Sequence, residues 1–82
     1  MSAAVYEQVK KIISTQLGIP EEQIELESHF NDDLNADPLS IADLVVSLED
    51  EFKIRISEEA MLKFNTISDV VNYLTDKIGE EI

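Results

Sequence analysis

Apolar residues recur at helical spacing in three stretches of this chain, and nowhere do they alternate long enough to make a strand. The sequence therefore specifies helices packed on helices. Val5, Val9, Ile12, Ile13 and Leu17 mark a first helix over residues 2–17, with Ser2 placed to cap its start. Gly18 is placed to end it in a left-handed conformation, and Glu7 stands four residues before Lys11, a favourable exposed pair. Ile41, Leu44, Val45, Leu48 and Phe52 form one clean stripe along a second helix over residues 38–52. Ser57 caps a short third helix holding Met61, Leu62 and Phe64. Thr66 and Asp69 approximate a capping box, with Asp for the usual Glu, and open a fourth helix that buries Ile67, Val70, Val71, Leu74 and Ile78. The expected fold is all-α: a small four-helix bundle of three main helices and one short one, in a single domain over residues 1–82.

The first connection breaks the pattern. Ile19-Pro20-Glu21-Glu22-Gln23-Ile24 suggests one short helical turn, because proline fits a first helical position. Beyond it, Leu26, Phe30 and Leu34 are too widely spaced for a regular helix and read as anchors that pin a long loop to the core. A connection of that length inside a small domain is often functional.

Charge narrows the partners. Thirteen of the eighteen acidic residues lie between Glu21 and Glu59, where Lys53 and Arg55 are the only bases, and the whole chain carries a formal net charge of −12. Such a field repels nucleic acid and steers encounters with basic protein surfaces. There is no cysteine, hence no disulfide, thiolate metal site or thiol nucleophile. No apolar run approaches the roughly 20 residues of a membrane span, and the N-terminus lacks the pattern of a signal peptide. The expectation is a cytoplasmic monomer without membrane insertion.

Opposite the buried stripe of the second helix, at 100° per residue, Leu39, Asp43, Val46 and Asp50 cluster within about 60° of one another. Glu49 and Ala42 lie on one flank; Ser40, Ser47 and Glu51 lie on the other. Two apolar side chains among carboxylates suit docking, in which apolar anchors supply affinity and charges supply orientation. Singly exposed apolar residues are also ordinary on protein surfaces, so the pattern alone leaves both readings open.

The run Phe30-Asn31-Asp32-Asp33-Leu34-Asn35-Ala36-Asp37-Pro38-Leu39-Ser40-Ile41-Ala42-Asp43-Leu44 resembles the modification segment of bacterial acyl carrier proteins, which reads F-x-x-D-L-G-A-D-S-L-D-x-V-E-L. The likeness covers nearly the whole chain, from Val9-Lys10-Lys11-Ile12-Ile13 through Gln16-Leu17-Gly18 and Leu48-Glu49-Asp50-Glu51-Phe52 to Tyr73-Leu74. It implies a four-helix carrier of fatty-acid or related acyl metabolism that is not itself an enzyme. In that family a 4′-phosphopantetheine arm hangs by a phosphodiester from the serine of D-S-L, and its thiol carries acyl chains that can retreat between the helices. Acyl-chain-handling enzymes grip the acidic second helix through basic patches. Carried over by the resemblance, Asp37 matches the motif aspartate, Leu39 its leucine and Asp43 its glutamate, while Val46, Glu49 and Asp50 match further docking positions.

The departures from that motif matter more than its matches. The attachment serine aligns with Pro38, which has no hydroxyl, so the arm of the family is not expected on this chain. Asn35 replaces the motif glycine, Ser40 the second aspartate and Ala42 the valine. Ser40 is the nearest hydroxyl, but two residues displace it about 200° around the helix and about 3 Å along it, and capping suits it better than modification. Pro38 itself fits a first helical position, and it favours the extended geometry that an N-cap Asp37 adopts. Either the chain is a carrier whose serine was lost or replaced, or it is an unmodified carrier-like docking or regulatory protein. A non-carrier acidic domain that binds cations is the remaining alternative. One histidine, His29, in a loop makes no catalytic constellation. The Asp33–Asp37 run lacks the glycine and the terminal glutamate of a calcium loop.

Overall fold

A computed structural model describes residues 3–79. Its helices are α1 (Ala3–Leu17), α2 (Pro38–Phe52), α3 (Glu58–Met61) and α4 (Ile67–Ile78), with a 3₁₀ turn at Glu21–Gln23. The expected all-α bundle is thus present, and the only β pairing among the described residues is an isolated antiparallel bridge between His29 and Thr66. The proposed Ser2 cap lies outside the described residues.

Helix α1 packs against α2 and α4. It contributes Val5, Val9 and Ile13 to the core, beside Leu44, Val45 and Leu48 of α2 and Ile67, Val70, Val71 and Leu74 of α4. Gly18 ends α1 at φ 68°, and the N–H groups of Gly18 and Ile19 both donate to the Ser14 carbonyl. Glu7 pairs with Lys10 at 3.8 Å, not with Lys11 as the spacing suggested. The Lys10 ammonium lies 4.9 Å from the centre of the Tyr6 ring, which fixes it on that side of the helix.

Three further expectations need correction. Pro20 is the extended N-cap of the 3₁₀ turn and not its first helical residue. Helix α3 stops at Met61, so Leu62 and Phe64 lie beyond it; Phe64 is buried edge-on to Tyr73, and Leu62 is 78% exposed. Ile78 is exposed at the end of α4, where the helix passes the edge of the core.

The long connection is anchored as expected through Phe30 and Leu34, with Leu26 half-buried and Ile24 and Ala36 buried beside them. Its backbone is also stitched to the start of α4. Phe30 N–H donates to Asn65 O, Ile67 N–H to Ser28 O and Ser68 N–H to Leu26 O, all within 3.1 Å. These bonds depend on where α4 begins, and its capping box sets that point. Thr66 Oγ1 accepts from Asp69 N–H, while Asp69 Oδ2 accepts from the N–H groups of Thr66 and Asn65.

Asp69→Ala frees two backbone donors at this junction and should lower unfolding free energy by about 1–2 kcal/mol. Asn72→Ala, which loses only an exposed side-chain bond to Ser68, should shift it by less than about 0.5 kcal/mol. Urea unfolding at neutral pH measures both; equal effects would show that the box does not govern the junction.

Candidate functional site

The segment that ends the long connection is folded by its own carboxylates. Asp33 accepts the His29 N–H at 2.7 Å, and the N–H groups of Asp33 and Leu34 return to the His29 carbonyl. Ala36 N–H then donates to Phe30 O at 2.8 Å, which closes the turn above the buried Phe30 ring. Between them Asn35 takes φ 58°, the left-handed region in which asparagine is the best tolerated residue after glycine. That conformation gives a physical reason for the glycine of the resembling motif, and for asparagine as its substitute.

Asp37 follows with φ −84° and ψ 173° and caps α2, its Oδ1 accepting the Ser40 N–H at 2.8 Å. That backbone donor, helped by a hydrogen bond from the Ser40 side chain, holds the Asp37 carboxyl below the usual carboxylate range. Pro38 occupies the first position of the helix, as its fixed φ favours, and its ring is exposed. Ser40 is half-buried.

Farther along α2, Leu39 and Val46 are 72% and 62% exposed. Asp43 and Asp50 are exposed beside them, and their carboxylates make no hydrogen bond or ion pair among the described residues. Glu49 is placed differently. It is half-buried, and its Oε2 accepts the Ile56 N–H at 2.8 Å, so its carboxylate ties α2 to the strand of chain that leads to α3. The Glu49 carbonyl receives the N–H groups of Lys53 and Ile54, with Lys53 left-handed at φ 57°. On the α1 side, Ser47, Asp50 and Glu51 border a shallow groove with Lys11, Ile12 and Gln16. A cleft of about 400 Å³ between α3 and α4, lined by Ala60, Lys63, Phe64, Asp69, Tyr73 and Asp76, takes no residue from α2.

The sequence-predicted residues therefore fall into two groups. Asp37, Pro38 and Ser40 make the capped head of α2, and Leu39, Asp43, Val46 and Asp50 make its outward face, with Glu49 drawn inward on the flank. Asp33 and Asn35, which shape the approach to that head, were not singled out as structural residues. Asp33 stands four residues after His29, the spacing at which a carboxylate can close such a turn, and that was the available signal.

A four-helix bundle with a long, anchored first connection and a capped second helix defines a small carrier-type domain. The chain belongs to the phosphopantetheine attachment-site family, whose sequence profile matches residues 7–74. It is 49% identical over 70 residues to an acyl carrier protein of Clostridium acetobutylicum, a stretch that covers 85% of this chain and 91% of that protein. Members of this family carry acyl groups and work with acyl-handling enzymes; they are not enzymes themselves.

Two predictions follow the local geometry. Asn35→Val forces a β-branched residue into the left-handed region and should cost about 1–2 kcal/mol in urea unfolding, while Asn35→Gly should stay within about 0.5 kcal/mol of the parent. Because its folded pKa is lowered, the Asp37 carboxylate contributes its full share of stability above the pKa of the unfolded carboxyl. That share fades as pH falls below this value and is gone once pH passes the folded one. Asp37→Ala should therefore melt below the parent at pH 7, and the gap should close in acid. A gap that persists unchanged at pH 2 would assign the effect to something other than the charge.

Proposed function

We propose that this chain is an acyl-carrier-type docking protein that offers the outward face of α2 to acyl-handling enzymes with basic surfaces, and that it does so without the phosphopantetheine arm. The exposed pair Leu39 and Val46, set between carboxylates without structural partners, supports the docking reading most directly. Asp43 and Asp50 supply the field; Glu49, on the flank, contributes charge while also bracing the turn after α2. The reading includes a single domain that acts as a cytoplasmic monomer. Among the described residues no helix is long and apolar enough to cross a membrane.

The residues at the head of α2 do not fit the arm. A phosphodiester needs a side-chain oxygen, and Pro38, which the resemblance aligns with the attachment serine, has none. Ser40, the nearest hydroxyl, lies two positions along the helix from that place. What remains is a helix head with the shape of an attachment site and none of its chemistry.

The docking reading is tested by charge reversal. We predict that Asp43→Lys with Asp50→Lys weakens binding to a carrier-dependent ketoacyl synthase by about tenfold or more at low salt, measured by titration calorimetry. Reversing the same number of charges at Glu22 and Glu27, exposed in the first connection, should change it by less than about twofold. Equal weakening by both pairs would point to a diffuse acidic field and sink the proposed site.

A further inference from the structure

Resting on that reading, we infer that the chain occupies an enzyme that attaches phosphopantetheine as an unreactive substrate mimic. It seats the head of α2 where a hydroxyl is awaited and offers no oxygen to phosphorus. The argument begins with what the substitution leaves intact. With Pro38 at the first helical position, Asp37 is extended and its Oδ1 accepts the Ser40 N–H at 2.8 Å, an ordinary N-cap geometry that does not itself require proline. Leu39 remains 72% exposed next to it, and Asp43 follows one turn on.

The choice of partner follows from chemistry. The donor of phosphopantetheine, coenzyme A, is a pyrophosphate ester with a further phosphate, so an enzyme that holds it must present cationic groups beside the reacting centre. An acidic helix head meets that surface with opposite charge. Enzymes that handle acyl groups instead bind the arm and its cargo as well as the helix, and a chain without an arm forfeits those contacts. The attaching enzyme encounters its partner before any arm is present. It is the one class of carrier-directed enzyme for which Pro38 removes the reacting atom while Asp37, Leu39 and Asp43 of the recognition surface are retained.

Competition decides the matter. The native chain, Pro38→Ser and the Asp43→Lys, Asp50→Lys double variant are each incubated with coenzyme A, an attaching enzyme and an ordinary carrier, and intact masses are followed. The native chain should gain no mass and should slow loading of the ordinary carrier by raising its KM with kcat unchanged. If it binds as well as the carrier does, tenfold excess over KM raises the apparent KM about tenfold. The double variant should lose this inhibition. Pro38→Ser, checked for a cooperative melt, should be loaded itself. If Pro38→Ser is loaded but the native chain does not inhibit, mimicry is wrong and the docking surface stands. If Pro38→Ser folds yet is neither loaded nor inhibitory, the docking reading fails along with the inference. A mass gain on the native chain, at Ser40 or elsewhere, overturns the unreactive-mimic idea at once.

Discussion

The three backbone hydrogen bonds between Leu26–Phe30 and the start of α4 help decide where the head of α2 lies. Without them, the chain between Gly18 and Asp37 would be held only by its buried apolar anchors, which fix depth better than direction. With them, Phe30 is held in the core at 1% exposure, the turn closed by Asp33 sits on top of it, and Asp37 arrives at one place in one orientation. The capping box at Thr66 and Asp69 thus controls, at a distance in sequence, the position at which α2 begins. Local capping and long-range pairing are the same event here.

How much of this could be read from residues depends on the range of the interaction involved. The bounds of α2 were legible because Asp37 and Pro38 announce its start and a continuous apolar stripe runs to Phe52. The outward exposure of Leu39 and Val46 followed from helical angle alone. What failed depended on a third body. Lys10 captures Glu7 because the Tyr6 ring positions its ammonium, and Leu62 is exposed beyond α3, which ends three residues earlier than its apolar content implies. The inward turn of Glu49 could not be read from α2, since its partner, the Ile56 N–H, lies beyond the helix in a turn that Lys53 makes without glycine.

The distribution of charge is as informative as its sum. Two carboxylates, one near the end of the first connection and one at the head of α2, are spent on backbone donors: Asp33 on His29, Asp37 on Ser40. Those on the outward face of α2 have no ion-pair partner among the described residues. A group of like charges with no internal counterpart opposes folding slightly through its own repulsion, and an incoming cationic surface relieves that repulsion on contact. Under the docking reading proposed above, the same electrostatics that leave the helix face without internal ion pairs would favour its contact with another molecule.

The left-handed residue at the end of α2 also sets a measure. Lys53 ends a helix of fifteen residues, about 22 Å long, and the stretch from Leu39 to Asp50 spans about 16 Å of it. Past that point the sign of the surface flips, because Lys53 and Arg55 are both exposed. The acidic rail is therefore a gauge with a hard stop at each end, a proline ring at one and a cation at the other. Under the proposed docking, a cationic surface displaced by one helical turn towards the C-terminal end would meet Lys53 where it should meet Asp50, so register in that direction is set by charge before any side chain has to fit.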